Sequence, residues 1–158
     1  MLIKKSISEN DAWIRLSTKC AMTEYCVADI RRMMSRWELP EGADERIVKR
    51  LQAERFVDEG RYAHAFVRDK FRYNHWGWGR IERELRMRGV AQTLIDEAKE
   101  EISEEDNLSA LRKLIEAKRR TVKGKNEYEI NAKLFRFAMM RGFGYDDINK
   151  VLHTNFEE

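Results

Sequence analysis

A single proline and only eight glycines stand in the 158 residues, too few turn formers for a fold of many short strands. The two cysteines, Cys20 and Cys26, have five residues between them. With no second pair and no clustered histidines they make no disulfide framework and no zinc site, and they fit a reduced intracellular protein. His64, His75 and His153 are scattered along the chain, none with a partner at metal-ligand spacing. There is no nucleophile elbow and no Walker loop. The Gly77-Trp78-Gly79 stretch lacks the third glycine and the preceding strand of a dinucleotide fingerprint. "MLIKKSISEN" has no apolar core of a secretion signal, and no run is long enough to cross a bilayer. The expectations are no enzyme, no cofactor, no metal and no membrane, with the cytoplasm as compartment.

What is present points to helices. Hydrophobic residues make up 42% and charged residues 37%, so a core can form while much of every element stays solvated. Leu, Arg, Glu, Lys and Ala are good helix formers, and the fold class read here is all-α. The net charge of +3 comes from 31 basic and 28 acidic residues and says little alone. Its distribution says more: Arg61 to Arg88 carries eight Lys or Arg against three acids, Arg112 to Lys125 seven against one, and Asp96 to Asp106 seven acids against one lysine. Such a layout turns a basic surface toward nucleic acid or an acidic protein groove.

The chain repeats. "ADIRRMMSRWEL" (28–39), "GRIERELRMRGV" (79–90) and "AKLFRFAMMRGF" (132–143) align at offsets of 51 and 53 residues. Ile30, Met34 and Leu39 then correspond to Ile81, Leu85 and Val90, and to Leu134, Ala138 and Phe143. Eight residues further on, Ile47, Ala98 and Val151 continue the register. An amphipathic helix precedes each core segment, roughly over 8–20, 60–74 and 105–122. Three tandem three-helix repeats follow, over residues 1–57, 58–103 and 104–158. Each is marginal alone, so the three are expected to stack into an elongated, curved array with a concave face.

The punctuation agrees. Ser8 with Asp11, Ser103 with Asp106, and Asn126 with Glu129 have capping spacing, in which a short polar side chain accepts from an orphan amide of the first turn. Gly89 and Gly142 stand where helices stop, since glycine takes the left-handed C′ conformation without strain. The first repeat has Glu38 there and Pro40 just after, so it ends its helix differently.

Placed at 100° per residue, the basic residues form stripes. Arg61, Arg68 and Arg72 gather on one side of the 60–74 helix, with Ala63, Phe66, Val67 and Phe71 on another and Lys70 snorkelling beside them. Arg80, Arg83 and Arg86 oppose Ile81 and Leu85 on the next helix. Arg112, Arg119 and Lys123 share a face beyond, with Arg120 and Lys125 in the same run. The three patches are expected to line one groove. Against this, Glu82 can pair with Arg86 and Glu84 with Arg88 at i,i+4, each pair contributing about 0.2–0.5 kcal/mol. Trp13, Trp37, Tyr62, Phe66 and Phe71 recur at helical spacing and are assigned to the core. Trp76 and Trp78 flank a helix break, and either staple it or contact a partner.

The run "RFVDEGRYAHAFVRDKFRYNHWGWGRIERELRMRGV", Arg55 to Val90, resembles the central region of the RecX family of regulatory proteins. The resemblance is carried by Phe56-Val57, Asp58-Glu59, Arg61, Tyr62-Ala63 and Phe66-Val67-Arg68, then by Gly79-Arg80, Ile81, Glu84-Leu85 and Gly89-Val90. "MMRGFGYDDINKVL" is similar to the family's C-terminal repeat. Glu38, the short Gly79 to Ile81 spacing and the bulky "HWGWG" depart from the pattern. The resemblance implies three tandem three-helix repeats and a cofactor-free modulator, usually negative, of the RecA recombinase. Its implied partner is the RecA nucleoprotein filament on single-stranded DNA, bound by a monomer that restrains ATP hydrolysis, strand exchange and the SOS response. The other reading is an autonomous helical protein that competes for single-stranded DNA.

Overall fold

The computed structural model of the chain describes residues 3–153, and among them nine α-helices follow one another. Helices α1 (Glu9–Met22), α2 (Val27–Met34) and α3 (Ala43–Ala53) form the first repeat. The second holds α4 (Glu59–Arg72), α5 (Trp78–Met87) and α6 (Gln92–Ala98), closed by a 3-10 turn at Lys99–Glu101. The third holds α7 (Glu104–Arg119), α8 (Glu127–Met140) and α9 (Tyr145–His153). Among the described residues no helix is long and apolar enough to cross a membrane.

Four helices, α1, α4, α7 and α8, begin at a side-chain cap. Ser8 accepts from the Asp11 amide at 3.1 Å, Ser103 from Asp106 at 3.0 Å, and Asn126 from Glu129 at 2.9 Å. Asp58 does the same for the Arg61 amide at 2.9 Å, so α4 starts one residue before the expected position. Loss of such a cap costs about 1 kcal/mol. Gly89 and Gly142 sit at φ 75° and 98°, the left-handed stops read from the sequence.

The aligned positions are the core. Ile81, Leu85, Leu134 and Ala138 are fully buried, and Ile30, Met34, Val90 and Phe143 nearly so. Extensive helix packing falls within repeats, α4 on α6 and α7 on α8 foremost, giving three apolar clusters in tandem. Each repeat also ties its first helix to its third segment by a polar pair: Arg46 to Glu9 at 2.7 Å, His64 to Glu101 at 2.7 Å, and Asn107 to Asp147 at 3.1 Å.

The fold is all-α, with one short strand pair beside the helices. Lys5–Ser6 (β1) pairs in parallel with Trp37–Glu38 (β2), and the Ile7 amide donates to the Glu38 carbonyl at 3.1 Å. With no glycine to turn the chain back and Pro40 ahead, α2 stops at Met34 and the backbone leaves extended. Leu39 still reaches the first core, half-buried.

Candidate interaction surface

The cations of α4 and α5 divide into engaged and unengaged. Arg61 is drawn back along the chain: its Nε donates to Glu24 at 2.5 Å, and its Nη2 to the carbonyls of Arg55 and Phe56. Arg68 meets Glu101 at 3.1 Å. That carboxyl is held below its usual range, first by its bond to His64 and then by the Arg68 charge. Arg86 pairs with Glu82 at 2.6 Å and Arg88 with Glu84 at 2.7 Å, the i,i+4 pairs expected from the sequence. Arg80 lies 4.1 Å from the Trp76 ring centroid, a cation–π contact. Arg72 and Arg83 make no ion pair or side-chain hydrogen bond among the described residues.

On α7 and the loop after it, Arg119 leans toward Glu127 and Asn131 at 3.5 and 3.4 Å. The side chains of Arg112, Arg120, Lys123 and Lys125 are exposed and unpaired among the described residues. Sequence reading passed over Lys113, next to Arg112. Lys113 and Arg72 line one groove of about 560 Å³ between the end of α4 and the middle of α7, together with Phe71, Leu114, Ala117 and Asp106. Choosing Lys113 over Arg112 requires the angle between repeats, which stripes on single helices do not contain.

Arg72 and Arg83 do not share a groove. Arg83 lines a separate cleft with Trp78, Lys99 and Met139, because α5 is locked to the third repeat by its own start. The Gly77 amide donates to the Arg141 carbonyl at 2.7 Å and the Gly79 amide to Gly142 at 2.9 Å, while Arg141 donates to the Asn74 carbonyl at 3.1 Å. A Cβ on Gly77 would lie 2.4 Å from the Phe143 nitrogen, and one on Gly142 would lie 2.5 Å from the Arg80 nitrogen. "HWGWG" is therefore both the α4–α5 junction and the joint between repeats 2 and 3.

Both tryptophans turn inward against the second core, half-buried. Trp76 packs edge-on to Phe66 at 6.4 Å, with the snorkelling Lys70 ammonium 5.0 Å from its ring. The Trp78 indole donates to Glu82 at 2.9 Å, which orients the ring.

The joint between repeats 1 and 2 went unread in the sequence. Cys26, at the start of α2, is fully buried in the second repeat's core rather than the first. Its thiol is pushed up by burial. Glu59, partly buried at the same joint, is likewise pushed above the usual carboxylate range by desolvation, opposed by the Val27 amide. Tyr62 follows in the same direction.

Fold and surface together define a tandem three-helix-repeat protein in which unpaired cations, Arg72, Arg83 and Lys113 among them, line the clefts beside the last repeat joint. Comparison with known proteins places it. Residues 58–98 match the second three-helix domain of RecX and residues 104–152 the third. A Clostridium botulinum protein (strain Eklund 17B / Type B) named "Regulatory protein RecX" is 32% identical over 111 residues, 68% of this chain and 51% of that one. Another of that name from Clostridium perfringens (strain SM101 / Type A) is 28% identical over 162 residues, 97% of this chain and 75% of that one. The chain thus spans from about half to three quarters of the length of these relatives. A crystal structure of regulatory protein RecX superposes with a TM-score of 0.84 at 22% identity, covering 92% of this chain and 73% of that one. RecX from Lactobacillus salivarius gives 0.79 at 15% identity, covering 92% and 95%. The chain belongs to the RecX family.

Proposed function

We propose that this chain is a regulator that docks on the RecA filament formed on single-stranded DNA and restrains it, lowering ATP hydrolysis, strand exchange and SOS induction. The name shared by its relatives supports this reading, and one observation carries it. Arg72 and Lys113 line the groove between repeats 2 and 3, and neither has an ion-pair partner among the described residues. Cations left unneutralised beside an apolar floor are suited to phosphates or to acidic protein groups, and a filament offers both. Arg112, Arg120, Lys123 and Lys125 extend the same charge along α7 and its loop. The chain acts as a cytoplasmic monomer and needs no cofactor.

The test is RecA ATPase on single-stranded DNA, titrated with this protein at two salt concentrations. Inhibition is expected at concentrations well below those that coat the DNA, and weaker at high salt. Inhibition only once the strand is saturated would replace the proposal with a protein that competes for single strands. No inhibition at either salt would overturn both.

A further inference from the structure

The second cleft points to a different kind of contact. We propose that the cleft between α5 and the α8–α9 turn is a docking site for a protein segment that presents a bulky apolar side chain beside a carboxylate. It encloses about 670 Å³, and Trp78, Ile102 and Phe143 supply its apolar wall. That volume falls in the range that small ligands and anchoring side chains fill. The wall is preformed: Trp78 is held by Glu82 at 2.9 Å and by the Lys99 ammonium 5.5 Å above its ring. Gly79 and Gly142, also in the lining, are joined by a 2.9 Å backbone bond. The rim is softer. Met139 is 44% exposed and its neighbour Met140 78%, and methionine adapts its shape to whatever side chain enters.

Charge selects the occupant. The other arginines of α5 and its end are engaged, Arg80 on Trp76, Arg86 with Glu82 and Arg88 with Glu84. Arg83 alone among these four has no partner among the described residues, and it lines the cleft. A free guanidinium next to an apolar wall takes a carboxylate as a two-pronged pair. Arg83 and Lys99 are balanced in the cleft by Glu104 and Asp147, so it offers no excess positive charge to a phosphodiester chain, whereas a segment with a single carboxylate can still pair with Arg83; the occupant is protein. The inference rests on the filament as partner and adds that RecA protein, not DNA, fills this cleft.

The experiment compares the full chain with an Arg83→Gln/Met139→Gln variant, both positions being exposed, for affinity to RecA filaments and, separately, to bare single-stranded DNA. Circular dichroism confirms unchanged helicity. The expected result is a loss of about tenfold or more on filaments with bare-DNA affinity unchanged within about twofold. Equal filament binding by variant and parent overturns the cleft while leaving the filament reading intact. A parallel loss on bare DNA overturns it too, by making the cleft a nucleic-acid site. A parent chain that does not bind filaments removes the filament reading, and this one with it.

Discussion

The joint between repeats 1 and 2 is made of side chains, whereas the joint between repeats 2 and 3 is made of backbone. At the first, Cys26 plugs into the neighbouring core and Arg61 bridges to Glu24 and two carbonyls. At the second, Gly77 and Gly79 lie against Arg141 and Gly142 with two amide–carbonyl bonds and no room for a Cβ. Side-chain joints weaken by degrees, because neighbouring groups and water fill in for what is removed. A backbone joint tolerates no added atom, since both partners are fixed by the helices that they begin or end. The rigid joint lines the second cleft through Gly79 and Gly142, and by fixing repeat 3 against repeat 2 it also sets how Arg72 and Lys113 come to share the first.

That contrast can be broken at the second joint first. Gly142→Ala combines left-handed backbone strain at φ 98° with a Cβ 2.5 Å from Arg80. Strain and overpacking each cost about 1–3 kcal/mol, so urea unfolding should show a loss of about 2–6 kcal/mol. A loss under about 1 kcal/mol would mean that the backbone contact is not tight. Leu85→Ala empties a fully buried position in the repeat that both joints share. It should cost about 2–5 kcal/mol and loosen both joints, seen as faster amide exchange at Cys26 and Gly79 alike. Arg61→Ala acts on the first joint alone. With both partners partly exposed, at 43% and 31%, the expected cost is only about 1 kcal/mol, with exchange at Gly79 unchanged.

The smallest effect serves as a control, lying within repeat 2 at neither joint. Glu101 is depressed by His64 and Arg68, so its contribution is present above the unfolded-state value of about 4.3 and is lost as pH falls through the lower folded value. Glu101→Gln should therefore lower Tm near neutrality and converge with the parent at strongly acidic pH. Parallel curves across that range would show that the carboxylate contributes nothing.

Repeats, register and caps were legible because they are local or periodic. Ser8, Ser103 and Asn126 need only their neighbours three residues on, and Ile81 or Leu134 need only the period of a helix. The joints were not legible. Gly77 meets Phe143 and Gly142 across more than sixty residues, and nothing in "GWG" names that partner. Arg61 and Arg68 read as an open stripe because Glu24 and Glu101, which neutralise them, lie 37 and 33 residues away. Cys26 looked like a residue of its own repeat until the second core closed over it. Arg72 was legible as basic, but that it shares a groove with Lys113 follows from the angle between repeats.

The most direct test of the account is the salt dependence of RecA-filament binding by an Arg72→Ala/Lys113→Ala variant. If both side chains meet phosphates in the groove, its log-log slope should flatten by about 1.4 relative to the parent, about 0.7 for each contact on a single strand, with helicity unchanged. A slope equal to the parent's would contradict the assignment of this groove to the filament's phosphates.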